Sequence, residues 1–203
     1  MRHQHVLLAL VLFAISALTG CGSSPKETYY TLSAGAAIDG AASVSGESTH
    51  SVAVGPVTLP ELVDRPQLVL RVGPNEVMFV ELHRWAGPLK SEIPRIIADN
   101  LAAYLNVKRV AAYPQSAGDN AEYRVLVDVQ RFDSTLGESV TIDALWTIRR
   151  ASDGALRTGR STAREPNGGG SYDAVVAAHS RALATVSREI AEAIRFISAT
   201  TQR

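Results

Sequence analysis

Few residues in this chain of 203 could carry chemistry by type and spacing, and they deserve weighing first. The only cysteine, Cys21, stands in "LTGC". With no second cysteine, an internal disulfide is excluded, and a catalytic thiol has no place on the flank of an apolar leader. His50, His83 and His179 are separated in sequence and belong to no HExxH pattern; CxxC, GxSxG and GxxxxGK are also absent. Each histidine therefore reads as a surface or partly packed side chain, with His50 in a loop, His83 at a strand end and His179 beside a helical apolar stripe. Asp128, Asp133 and Asp143 fall on two neighbouring strands without metal-ligand spacing, so they read as solvated strand-edge carboxylates. The glycines of "NGGGS" (167–171) precede a helix, where anions bind well. No lysine follows at the right place, and a flexible turn capped by Ser171 is the reading. These residue types predict no enzyme, no cofactor and no metal.

Cys21 has a better explanation. Arg2 gives a basic start, Val6–Leu18 is apolar apart from Ser16, and Leu18-Thr19-Gly20 supplies small residues before the cysteine. The apolar run is short of the ~20 residues that cross a bilayer as a helix. It reads as a secretory signal ending in a bacterial lipobox. Residues 1–20 are then removed, and the Cys21 thiolate takes a diacylglycerol as a thioether while the freed amine takes a further acyl chain. One chain anchors only marginally and two anchor stably, at ~0.8 kcal/mol per buried CH₂. Lys+Arg and Asp+Glu each number 20, so nothing suggests nucleic acid or electrostatic membrane docking; the membrane contact is the lipid.

The elements behind these residues follow from periodicity. Residues 21–27 form the tether and residues 28–203 one domain, of a size that builds a proper core. "TYYTL" (Thr28–Leu32) is rich in strand formers, and the seven steps from Cys21 to Thr28 span at most roughly 25 Å. "SAGAAIDGAASVSGESTHS" (33–51) holds few large apolar residues and is expected to be a flexible loop. Strands are predicted at "SVAVGPV", "QLVLRV" and "NEVMFVEL", then at "VKRVAAY", "EYRVLVDVQRF", "SVTIDALWTIRR" and "ALRTGRSTAR". A helix is predicted over Ser91–Leu105, with Ser91 as cap and Pro94 in its first turn. A longer one covers Tyr172–Ala199, its stripe formed by Val176, Leu183, Val186, Ile190, Ile194 and Ile197. The order predicts an α+β fold, a single two-layer domain with a mostly antiparallel sheet and two helices on one face.

Two stretches suggest contact with a partner or lipid. Trp85, in "HRWAGPL", is either a core cap or an exposed anchor. "VGPVTLPELVDRPQLV" sets Leu59, Leu62 and Val63 among rigid prolines, and is either a structural edge or a preformed apolar rim.

Taken together, "YYTL", this connector, "HRWAGPL", "NLAAYL" and "SYDAVVAAHSRALATVSREIAEAI" resemble the ABC-type transport auxiliary lipoproteins, most of all their paraquat-inducible protein C branch. The resemblance spans nearly all of the mature chain. It implies a periplasmic lipoprotein anchored in the outer membrane, a non-enzymatic accessory to an MCE-type system that moves lipids between membranes. By motif, Gly55, Pro56, Pro60, Asp64, Arg65 and Pro66 match the connector; Arg84, Trp85, Pro88 and Leu89 match the aromatic loop; Tyr172 and Asp173 match the start of the last helix. Candidate contact residues are thus Leu59, Pro60, Leu62, Asp64, Arg65, Pro66, Arg84, Trp85 and Pro88. Gly22 after the cysteine, in place of Asp, favours the outer membrane. The resemblance transfers no catalytic residue and does not account for loop 33–51. The expected partner is the MCE-domain protein, a homo-oligomer is compatible with the long apolar helix, and the alternatives are a lipid carrier with its own apolar pocket and a lipid-anchored hydrolase.

Overall fold

A computed structural model describes residues 25–35, 50–115 and 118–200. Cys21, the leader and positions 36–49 of the expected loop lie outside the described residues.

Alternation builds the strands. In β6 (Tyr123–Thr135) Tyr123, Val125, Val127 and Val129 are buried and the residues between them face outward. In β7 (Ser139–Arg150) Val140, Ile142, Ala144, Trp146 and Ile148 turn inward. With β2 (Ser51–Thr58), β5 (Arg109–Ala112) and β8 (Leu156–Pro166) they form a five-stranded sheet in the order β5-β2-β6-β7-β8. A three-stranded sheet, ordered β1-β4-β3, comes from β1 (Thr28–Tyr30), β3 (Gln67–Gly73) and β4 (Glu76–Trp85).

The helices α1 (Leu89–Leu105) and α2 (Tyr172–Thr200) pack against each other, α1 over β2 and β5, α2 over β7 and β8. The core fills the space between, with Ile93, Ile97, Leu101, Leu183, Ile190 and Ile194 essentially closed to solvent. The α+β class and the predicted apolar stripe of α2 are therefore present.

The pairings are more mixed than the alternation suggested. β2 runs parallel to both β5 and β6, and β1 parallel to β4; β3–β4, β6–β7 and β7–β8 are antiparallel. A parallel neighbour needs a long crossover, and β3, β4 and α1 supply it between β2 and β5. That is why β2 is buried along most of its length and lacks the half-polar face of an edge strand.

Three local expectations change. Helix α1 begins two residues early because Leu89, 2% exposed, is drawn into the core. Its cap is extended Pro88, whose carbonyl accepts the Ser91 and Glu92 N–H groups, so Ser91 is inside the helix and Pro94 lies beyond the first turn. The expected loop 33–51 has ordered ends: Ser33 N–H donates to Ser180 Oγ at 3.1 Å, Gly35 N–H to Asn100 Oδ1 at 3.0 Å, and Ser51 belongs to β2. His50 Nδ1 lies within hydrogen-bond reach of Glu122 Oε2 at 2.7 Å, and its ring stands edge-on to Tyr123.

Two polar ties fix α2. Arg150, buried at the end of β7, donates to the Ile197 carbonyl at 3.1 Å and grips Asp153 with two bonds of 2.9 and 2.6 Å. A cation is thus set at the negative end of the helix, and its hydrogen bonds hold the Asp153 carboxyl at about 2. Midway along, Trp146 Nε1–H donates to Ser161 Oγ at 2.9 Å, and Ser161 donates to Glu189 at 2.5 Å. The indole lies on Gly159, where a Cβ would come within 2.1 Å of Cζ2. Gly159→Ala should therefore displace the ring and cost about 3 kcal/mol, the upper range for overpacking, read as a lower denaturation midpoint.

Candidate functional site

The motifs that are distant in sequence meet at one end of the three-stranded sheet. Tyr30 and Trp85 are register partners in the parallel β1–β4 pair, and Ala86 N–H donates to the Tyr30 carbonyl at 2.8 Å. Tyr30 Oη lies 2.8 Å from His83 Nδ1, and the His83 ring centroid lies 4.0 Å from that of Tyr172, first residue of α2. "YYTL", "HRW" and "SYD" thus form one aromatic corner. Spacing along the chain gives no hint of it, because each ring comes from a different element.

The proline connector is strapped to this corner. Trp85 N–H donates to the Pro66 carbonyl at 2.7 Å, and Lys90 in the first turn of α1 pairs with Asp64 at 2.6 Å. Pro60 closes a turn by accepting from Val63 and Asp64. Val63 is buried, Leu59 is half-buried against the core, and Leu62, Pro66 and Pro88 are exposed. Arg65 lays its guanidinium 4.0 Å above the Phe79 ring. Arg84 pairs with Glu27 at 3.1 Å and donates to the Glu81 carbonyl. The candidate contact residues therefore share one ridge.

Trp85 differs from the rest. It is 7% exposed, with its ring edge-on to Phe132 and His179 at 6.2 and 6.1 Å. The core-cap reading describes its position, and its side chain is closed to a partner.

Beneath Trp85, Ser134 Oγ lies 2.7 Å from His179 Nε2. This pair superficially resembles a nucleophile with its base, but it lacks the remaining parts. His179 Nδ1 has no hydrogen-bond partner to orient the ring. Burial pushes the imidazole down to about 3, which makes it a poor base near neutrality. The cavity lined by Trp85, Phe132, Ser134 and His179 is about 10 Å³, room for one water and not for an acyl group. The pair is a packing hydrogen bond.

The aspartates are also engaged. Asp133 takes Arg71 at 3.3 Å and Arg131 at 2.6 Å, Asp128 takes the Thr58 hydroxyl, and Asp143 takes Arg160 at 2.8 Å, which holds its carboxyl below the ordinary range. In "NGGGS", Ser171 Oγ accepts the Ala174 N–H and Asn167 donates to the Thr135 carbonyl. These contacts make a capped turn pinned to the β6–β7 hairpin.

The corner, the connector, α1 and the larger part of α2 fall within one sequence family. Residues 30–191 match the profile of the ABC-type transport auxiliary lipoprotein component. The chain belongs to that family. No curated protein matches this auxiliary lipoprotein by sequence. A crystal structure of a Xanthomonas campestris protein is similar at TM-score 0.68 and 19% identity, over 87% of this chain and 100% of that one. An uncharacterized protein of known crystal structure gives the same TM-score and identity over 84% and 99%. At this identity the likeness is one of fold. Among the described residues of the auxiliary lipoprotein, no helix is long and apolar enough to cross a membrane.

Proposed function

We propose that the protein is an outer-membrane-anchored periplasmic lipoprotein, acting as a non-enzymatic accessory subunit of an MCE-type intermembrane lipid transport system. The observation that carries this reading is the family match from Tyr30 to Ala191, whose separated motifs meet in one corner and present Leu62, Pro60, Pro66 and Pro88 on a rigid ridge. A ridge held by prolines loses little freedom on binding, which suits a docking surface. The MCE-domain protein is the partner this reading assigns to it.

The alternative is a carrier with its own lipid site, and neither of two cavities lined by described residues would serve it: one beside β2 and β5 measures about 70 Å³ and one beneath Trp85 about 10 Å³, against roughly 300–1,000 Å³ for ligand pockets.

Affinity purification of the protein from membranes, with identification of bound proteins and lipids, tests the reading. Recovery of an MCE-domain protein is expected; its absence, or recovery of lipid alone, would count against the accessory role. Leu62→Asp should weaken that recovery at unchanged stability. Cys21→Ala should leave the protein unlipidated and lost from the outer-membrane fraction. Outer-membrane fractionation and intact transport in that variant would end the tethering idea.

A further inference from the structure

The outward face of the three-stranded sheet leaves Tyr29, Phe79 and Leu82 partly open to solvent, with Arg65 of the connector lying over the Phe79 ring. Strand alternation settles which residues lie on it. Leu68, Leu70, Val80 and Trp85 point into the core, and a bulge between Leu68 and Gln67 sets both Glu81 and Leu82 outward. Tyr29, opposite Arg84 in the β1–β4 register, is outward too. The face therefore carries Tyr29, Phe79 and Leu82, exposed at 59, 39 and 39%, with half-buried Val77 beside them.

Basic groups rim this stripe. Lys26 precedes β1, Arg84 stands beside Tyr29, and Arg65 holds its charge directly over Phe79. The nearby carboxylates are engaged: Glu27 by Arg84 and the Tyr29 hydroxyl, Glu81 by Gln67 at 3.2 Å. A tyrosine, a phenylalanine and a leucine among snorkelling cations are the side chains that suit the boundary between headgroups and acyl chains.

The chain itself says which surface is near. Pro25, the first described residue, lies four steps from Cys21, at most about 14 Å. β1 follows immediately and forms the edge of this sheet. We propose that the outward face of β1-β4-β3 rests on the bilayer that holds the anchor, with Tyr29, Phe79 and Leu82 at the acyl boundary and Lys26, Arg65 and Arg84 on lipid phosphates. This rests on the lipid-anchor reading of Cys21. It gives the anchored domain a fixed orientation, with the helices turned away from the membrane.

Lipidated full-length protein, processed in cells and reconstituted in phosphatidylethanolamine–phosphatidylglycerol vesicles, provides the test. With Cys21 acylated, a cysteine introduced at Leu82 or Phe79 is the only free thiol and can carry an environment-sensitive dye. Glu192→Cys, on the exposed side of α2, is the control. Brominated lipid should quench the Leu82→Cys and Phe79→Cys labels several-fold more than the Glu192→Cys label. Equal quenching at all three sites overturns the proposal, as does protection from aqueous iodide without lipid quenching, which would mean that protein covers the face. Mass spectrometry of the same sample separates the two readings. Cys21 without acyl mass removes the anchor and this proposal together, whereas acylated protein with unquenched labels removes the surface alone.

Discussion

Trp85→Ala should lower the stability of the folded domain by about 3–5 kcal/mol, the range for deleting a buried indole. The ring closes the core at the junction of the two sheets, where it meets Phe132 of β6 and His179 of α2, and its backbone N–H holds the Pro66 carbonyl. Truncation would leave a cavity that its neighbours cannot collapse into, because the three-stranded sheet joins the rest of the molecule there. Set against the 5–15 kcal/mol of an ordinary domain, such a loss should appear as a large drop in denaturant midpoint and as low soluble yield. Trp85→Phe, which keeps a ring against Phe132, should recover more than half of it. The comparison with Leu62→Asp separates packing from contact. A surface change on the ridge is expected to stay within about 0.5 kcal/mol of wild type while weakening partner recovery. A Trp85→Ala protein of wild-type midpoint that failed to recover the partner would instead make the indole a contact residue.

The contrast between Trp85 and Leu62 shows what the sequence could and could not convey. Both sit in short stretches that join an apolar side chain to prolines or glycine, and composition cannot tell which one the fold encloses. The enclosing residues, Phe132 and His179, come from strands and helices far along the chain. Elements were legible where burial repeats with a period. The inward set of β7, Val140 to Ile148, and the stripe of α2, Val176 to Ile197, follow directly from the pleat and the helical turn. Partners were not legible, since alternation fixes which face a strand buries and leaves its neighbour open. β2 reads like any short strand, yet it lies between β5 and β6 and runs parallel to both.

The same distinction applies to polar groups. The lipobox reading of Cys21 rests on a local signal in the sequence. Asp64 with Lys90, His50 with Glu122 and Tyr30 with His83 are contacts between elements, and no local pattern announces them. His50 looked like a loop histidine because it follows the stretch rich in Ala, Gly and Ser. Its hydrogen bond depends on β6, whose start brings Glu122 alongside. Leu89 is similar: "AGPLKSE" offers Ser91 as a natural cap, but core packing of Leu89 moves the helix start back to Pro88.

Below pH 6.5 the fold should weaken steadily, and His179 should account for most of the effect. The imidazole is 1% exposed, stacked on Phe132 with centroids 4.0 Å apart, and its Nε2 is engaged with Ser134. Desolvation drives its pKa down to about 3, outweighing the attraction of Asp133, whose charge Arg71 and Arg131 already offset. The unfolded chain takes up a proton near the usual 6.5 and the native chain does not. The stability contributed by a neutral His179 is therefore fully present above pH 6.5 and is lost as pH falls towards 3. At 1.36 kcal/mol per pH unit, the loss reaches on the order of 4 kcal/mol. His179→Gln can still hydrogen-bond Ser134 but cannot take a proton. It should be somewhat less stable at pH 7.5 and show a much flatter profile between pH 6.5 and 4. The difference in denaturation free energy between wild type and variant, followed across that window, isolates the histidine from the carboxylates that titrate in both. Parallel profiles would mean that His179 is protonated in the folded state, with water reaching Nδ1 through the small cavity beneath Trp85.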